Sequence, residues 1–338
     1  GTAPLAAQAC AAPRADQWFT GVGAAADHDS LIELVNPDAG PANVDVTLYG
    51  RQQLTSHGLR GLTVPGHRTL TLDLGHEQPQ TALLTAHVQV TRGRLAVHVL
   101  DTRTDLTTHR VQREWLPGQS DPGESLQLLG LPLGTGTRTL QLANPGDEVV
   151  RAEVKVITGD TTFAPKGLDT VSIPPGSTSA VPLTKVLDQA LGDGALGIAV
   201  TADGPVTASV LTDLGTDRVL TVPDEDVRAQ AATLLPVPTG KGAQPVHAQV
   251  LLSADSAGSS LVTAYDVSGK ELFRRRVAQQ QGHTAVVPLP RGAAYVDVVP
   301  RGTVIRGAVA LTGNGATVIP LDELLTKGLV PQISPGLS

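Results

Sequence analysis

The chain has 338 residues, a formal net charge of −7, 41% hydrophobic residues and only 17% charged ones. That balance describes a foldable chain and excludes a disordered one. The acidic excess argues against a surface for nucleic acid or anionic membrane, and no run approaches the roughly 18 apolar residues of a membrane span. Aromatic residues are 2%, so the cores must be packed from Val, Leu and Ala. Thirty-six Gly and 25 Pro mark a many-turned β protein.

Residues 1–16 read as an Ala- and Pro-rich linker with neither a charged nor an apolar leader region, as though an upstream segment had been removed. The absence of Met fits the same reading. Cys10 stands alone, and three states remain open for it: a lipid anchor, an intermolecular disulfide, or the favoured inert thiol. A first unit opens at Gln17-Trp18-Phe19. LIELVNPDAG (31–40) predicts a strand entering an Asn-Pro turn, VDVTLYG a strand closing at Gly50, and LTVPGHRTLTLDL two strands about a Pro-Gly turn. HVQVTRGRLAVHVL predicts a hairpin turning near Gly93, and Trp115-Leu116-Pro117 closes the unit.

After the linker PGQSDPGES the same order returns. TLQLANPGDE (139–148), AEVKVITG ending at Gly159, VSIPPGSTSAVPL and the glycine turn of IAVTADGPVTASVL near Gly204 match the first set in type and sequence order. LTKVLDQALGDG (183–194) keeps a 3.6-residue apolar period and predicts a helix ended at Gly192. DEDVRAQA then leads into a third copy, with VLLSADSAGS (250–259), VTAYDVSG, VAQQQGHTAVVPL and VDVVPRGTVIRGAV turning near Gly302. Its run Arg274-Arg275-Arg276 reads as a solvated or anti-aggregation strand edge, with two of the three on one face. LDELLTKG near the C-terminus is a second helix candidate.

A period of about 110 residues is a whole folded unit rather than a solenoid turn. Alternation dominates each unit: Val44, Val46 and Leu48 face one way and Asp45, Thr47 and Tyr49 the other, as Ala152, Val154 and Val156 alternate with Glu153 and Lys155. The expectation is an all-β fold of three tandem immunoglobulin-like antiparallel β-sandwich domains, 17–122, 123–228 and 229–338, behind the 1–16 linker. The Cys, Trp, Cys core of true immunoglobulin domains is missing, so this is an architectural analogy. The order of the units in space is left open.

No catalytic signature emerges. There is no G-x-S-x-G elbow, LGTGTRTL (133–140) enters a strand and lacks the ending of a phosphate loop, and Asp224-Glu225-Asp226 lacks calcium-loop spacing. Seven of the 9 His fall in the first unit. If Arg92-Gly93 close a two-residue hairpin, His87 and His98 lie opposite each other on its wet face, within joint reach of one ion. A metal site wants further ligands, so two exposed imidazoles are the favoured reading. Trp18 and Trp115 bracket the unit and read as end plugs or a domain junction ahead of a sugar platform. The expectation is therefore no catalytic, cofactor or metal residues, with Trp18, Trp115, His87 and His98 as candidate ligand or interface positions.

Cys10 shortly before Trp18-Phe19, the Asn36-Pro37 turn after an aliphatic strand, the repeated Pro-Gly turns and the Trp115-Leu116-Pro117 closing together resemble a family of secreted or membrane-anchored actinobacterial proteins classed as a domain of unknown function. The resemblance covers most of the chain, and its motifs are structural. It implies an exported cell-envelope protein held by an N-terminal signal or anchor. The chain departs from it in lacking a partner for Cys10 and in a degraded Asn-Pro in the third copy. The functional expectation is a non-catalytic extracellular structural or interaction module that scaffolds partner proteins of wall or glycan assembly, such as a membrane glycosyltransferase, with no nucleic-acid partner. The alternative is a carbohydrate-binding module for envelope polysaccharide.

Overall fold

The computed structural model of the chain describes residues 5–8, 12–51, 53–54, 59–168, 170–215, 217–237 and 246–324. Cys10 and residues 325–328 of the C-terminal helix candidate lie outside these. Strand makes up 59% and helix 5%, in several antiparallel sheets consistent with an all-β sandwich.

The first set of strands is β1 (Asp16–Ala25), β2 (His28–Val35), β3 (Ala42–Tyr49), β4 (Gln53–Leu54), β5 (Leu62–Val64), β6 (Thr69–Asp73), β7 (Thr81–Arg92), β8 (Ala96–Thr104) and β9 (Val111–Leu116), with a one-turn helix α1 (Leu74–Glu77) after β6. The second is β10 (Gly123–Leu129), β11 (Thr137–Asn144), β12 (Val150–Ile157), β13 (Thr162–Phe163), β14 (Val171–Ile173), β15 (Ser177–Pro182), β16 (Gly197–Asp213) and β17 (Arg218–Thr221), with α2 (Thr184–Gly192) after β15. The third is β18 (Ala231–Leu234), β19 (His247–Ala254), β20 (Gly258–Tyr265), β21 (Glu271–Gln279), β22 (Thr284–Pro288), β23 (Tyr295–Arg301), β24 (Ile305–Thr312) and β25 (Ala316–Pro320).

One pairing scheme recurs in all three. In the first set β7 lies between β1 and β3, with β4 and β5 beyond β3, while β2 lies between β6 and β8, with β9 beyond β8. In the second, β10 and β12 pair with the front of β16, and β11 pairs with β15 and the rear of β16. β13 and β14 extend β12, and β17 extends the rear of β16. In the third, β23 lies between β18 and β20, with β21 beyond, while β19 lies between β22 and β24, with β25 beyond. Two central pairs, second with fifth strand and third with sixth, share the immunoglobulin order; the first strand pairs the sixth and the seventh pairs the second, which that order does not have.

The alternation read from sequence is the burial pattern, except that Tyr49, on the outward side of β3, is buried against Trp18. Val44, Val46 and Leu48 are buried in one aliphatic core, Ala152, Val154 and Val156 in another, and Val250, Val262 and Val298 in a third. α2 forms where its apolar period predicts it, with Leu187 and Ala190 buried.

The glycine turns behave differently from expectation. β7 and β8 do not pair, since β1 and β2 stand between them in one nine-stranded sheet, and neither do β23 and β24, which lie in separate sheets. β16 runs unbroken through Gly204 and changes sheets within its 17 residues. These are arches, not hairpins. Gly93 (φ 77°) and Gly302 (φ 75°) supply the left-handed bend. The alternation of inward valines on both sides of such a bend is satisfied equally by two neighbouring strands and by two strands facing each other, so sequence pattern could not separate the cases.

The Asn-Pro turns are pinned by their asparagines. Asn144 is fully buried: its Nδ2 donates to Glu148 O (2.7 Å) and Ile173 O (3.1 Å), and its Oδ1 accepts from Gly146 N (2.9 Å). Asn36 repeats this with Gly40 O, Val64 O and Asp38 N. In the third copy Asp255 instead holds Arg306 at 2.6 Å in an exposed ion pair. Asn144→Ala should therefore cost about 2–3 kcal/mol by leaving buried carbonyls and an N–H unmet, whereas Asp255→Ala should cost under about 1 kcal/mol. Urea denaturation of the two variants checks the contrast.

Candidate functional site

β1 and β7 bring the first of the sequence-singled residues together. Trp18 is opposite His87 in the strand register, and the rings stack at 4.0 Å and 7°. Tyr49, from β3, tilts against the indole at 5.5 Å. His87 Nε2 lies 2.6 Å from Asp16 Oδ1, and Gln89 Nε2 donates to the other carboxylate oxygen. The indole is only 4% exposed. It is a packed plug, and no sugar ring has access to its face.

His98 is elsewhere. It sits on the outer side of β8, between β2 and β9, edge-on to Trp115 at 6.3 Å, with Nδ1 3.4 Å from Gln8 Oε1. The strand of His87 pairs with β1 and β3. β1 and β2 therefore lie between the strands that carry the two imidazoles. The cross-strand pair expected from a hairpin at Arg92-Gly93 does not form, and a joint metal site at His87 and His98 falls with it. Among the described residues no group of three or more His, Cys, Asp and Glu is placed to hold a metal ion.

The N-terminal segment, read as a linker, docks. Leu5 and Ala7 pack on the third core, and Leu5 N donates to Asp217. Arg14 bridges to Leu95 and grips Glu225 with two nitrogens, at 2.5 and 3.1 Å. A groove opens beneath this arm, lined by Gln8, Arg14, Gln17 and His98 on one side and Val318 and Asp322 on the other. It brings the first and third strand sets together, so the array folds back on itself. Among the described residues that line the groove there is one carboxylate, Asp322, where glycoside hydrolysis uses two.

The strongly shifted carboxyls lie along the contacts between strand sets. Burial, reinforced by the negative charge of Asp217, pushes Glu114 up to about 9. Burial and nearby Glu225 raise Asp322 to about 6 against the pull of Arg14. Asp224 is raised well above the usual carboxylate range by complete burial, although it accepts from Leu129 N at 2.9 Å. Asp217 is raised by burial although Ala316 N, Arg218 N and Leu5 N all donate to it. Within the first core His28 is satisfied at both ring nitrogens, by Ala82 O (2.7 Å) and Asp101 Oδ1 (2.6 Å), and Ser30 donates to the same carboxylate. Ser, His and Asp meet here as a closed structural network: the hydroxyl donates to the acid and the ring has no free nitrogen to act as its base.

Two further features were not singled out from sequence. Tyr265 and Tyr295 are direct cross-strand partners on the outer face of β20 and β23, rings 5.8 Å apart. A polar hollow between the second and third sets is lined by Gln127, Thr162, Ser253, Asp255, Gln281 and Thr284.

An all-β protein of repeated facing sheets, with its perturbed groups in the contacts between repeats, is the class these observations define. The chain belongs to a family of unknown function, DUF5719, whose model matches residues 2–290. None of the curated proteins compared with it matches.

Two outcomes follow from this geometry. The folded chain holds more protons than the unfolded one between the ordinary Glu value of 4.5 and about 9 because of Glu114, so stability falls as pH rises through that window. Glu114→Gln should raise the melting temperature at pH 8 and leave it nearly unchanged at pH 4, as read by calorimetry. His87→Ala should destabilise by about 1–2 kcal/mol through the lost stack on Trp18. Added zinc should leave the melting temperature of the parent chain unchanged.

Proposed function

We propose that the chain is a non-catalytic structural and interaction module of the cell envelope, built of three tandem β-sandwich domains, 17–122, 123–228 and 229–338, that are immunoglobulin-like in their central pairs. It works outside the cytoplasm and is held by an upstream signal or anchor. One observation carries this reading. The buried carboxyl of Asp217, which an enzyme would expose in a cleft, takes N–H groups from the arm and from the third strand set, and Glu114 and Asp224 are buried along the same contacts. A chain that spends its ionisable groups on fixing three units in one body is suited to presenting surfaces in a set geometry. Its partners are proteins of wall or glycan assembly, a membrane glycosyltransferase among them.

A carbohydrate-binding module is the second reading, favoured by the Tyr265–Tyr295 pair and by the polar hollow at Ser253 and Gln281. Capture experiments separate the two. The immobilised chain should retain a wall-assembly protein from detergent-solubilised envelopes and should not be retained on purified wall polysaccharide. Retention on polysaccharide alone would establish the second reading instead.

A further inference from the structure

The three strand sets follow one scheme except at the strand beyond the third. In the first set that place is taken by β4 and β5, of two and three residues, and in the second by β13 and β14, again of two and three. Short, broken strands are one way in which proteins blunt a sheet edge. In the third set the same place holds β21, a single strand of nine residues. It pairs with β20 from Glu271 to Gln279, with a bulge at Leu272, and no strand among the described residues pairs with its other side. A long open edge offers a row of backbone donors and acceptors to another extended chain.

Its side chains state what that chain must be. Glu271, Leu272, Arg274, Arg275, Arg276 and Ala278 are exposed. Arg274 and Arg276 stand opposite Thr263 and Leu261, on the outer side of the sheet, and Arg275 opposite Val262, on the other. Arg274 is tied to Glu271 at 2.6 Å, while Arg275 and Arg276 make no ion pair among the described residues. This run of cations stands on a chain of net charge −7. A second copy of β21 is a poor occupant. Antiparallel pairing centred on Arg275 would set Arg274 against Arg276 and Arg275 against itself, placing like charges directly opposite one another. The same positions favour carboxylates, two of them at alternate residues to meet Arg274 and Arg276 on one face.

We propose that β21 is a docking edge that takes an extended acidic segment of a partner protein as an added strand, with carboxylates at positions i and i+2. The assignment rests on the interaction-module reading and names the chemistry of its partner. Backbone hydrogen bonds along the edge hold the segment, and the arginines select it and set its register. Leu234 and Leu272, 66% and 38% exposed, flank the tyrosine pair at the end of the same sheet and extend the surface toward the hairpin that joins β20 to β21.

The probe is a synthetic nine-residue peptide of alternating Thr and Val with Glu at its fourth and sixth positions, fluorescently labelled, titrated with the full chain. Binding is expected, with slowed amide exchange at residues 272–279. It should weaken by about tenfold or more in the R275E/R276E chain. It should be lost for the same peptide N-methylated on the face toward the edge, which keeps the charges and removes the hydrogen bonds. Equal binding of the N-methylated peptide would show that charge alone attracts it, and absence of binding by the parent chain would likewise overturn the proposal. Preference for a polyuronate over the peptide would replace the partner class by an acidic glycan and overturn it too. The R275E/R276E chain must melt with the parent; if it does not, Arg276→Gln serves in its place. If parent and variant capture the same envelope protein equally and the peptide does not bind, the edge assignment fails and the interaction reading stands. If the parent captures nothing, that reading itself fails.

Discussion

The structure depends on closing the ends of sandwiches that contain almost no aromatic side chains. Phe19 is the one aromatic side chain in the first core cluster, whose remaining volume is filled by Val, Leu, Ala and one Ile. Such side chains interdigitate well between two sheets but reach little beyond the last strand, and an open end would leave apolar surface wet. The solution is to borrow. Leu220 and Val222, at and just after β17, complete the core of the first strand set. Leu129, Ile157 and Val219 join Leu251, Ala308 and Val318 in a separate cluster between the second and third. The first core is therefore finished by the second strand set, and the second and third sets share a cluster of their own.

Apolar closure alone would let two smooth surfaces slide, and the polar groups at the joints remove that freedom. Gln119 donates to Thr20 at 2.6 Å and accepts from Thr207, so one amide reads both partners of the first joint. Thr178 donates from its hydroxyl to Tyr49 O at 2.8 Å and shares a bond with Thr85. Asp217 collects N–H groups from the arm, from its own strand set and from Ala316 in the third. Burying these groups costs stability unless each is met, which is why the carboxyls among them are driven toward the neutral form. What is obtained in return is a fixed placement of one strand set against the next.

How much of this could be read in advance varies with the range of the interaction. Local features were legible: the alternation at Val44 to Leu48, the helix that became α2, and the two Asn-Pro turns whose buried amides form matching bonds. The glycine turns were not. Gly93 in a left-handed conformation is equally compatible with a hairpin and with an arch, and the choice is made by β1 and β3, which claim both edges of β7. The error carried through to the site, because opposing His87 and His98 required those strands to be neighbours. Trp18 and Trp115 each lie against one of these histidines, a pairing that no spacing in the sequence encodes. The arm was missed for a related reason. Leu5 and Ala7 carry little periodic signal, and their docking is decided by surfaces more than 200 residues away, such as Asp217.

Repeats within one chain also supply a comparison that a single domain cannot. Asn36 and Asn144 keep the same bonds at the same place, so the turn they pin is a requirement of the shared fold. The third copy replaces that asparagine by Asp255, and its partner becomes a surface arginine, Arg306, which also reaches Asp226 at 2.6 Å. The same copy also replaces two short edge strands by the long β21. Relaxation of a structural rule and lengthening of an edge thus occur in one unit. A fold that needed only to pack would keep its edges short, since an open strand risks aggregation. Retaining nine residues there, with three arginines that repel another copy of the same strand, is the pattern of an edge kept available for something else.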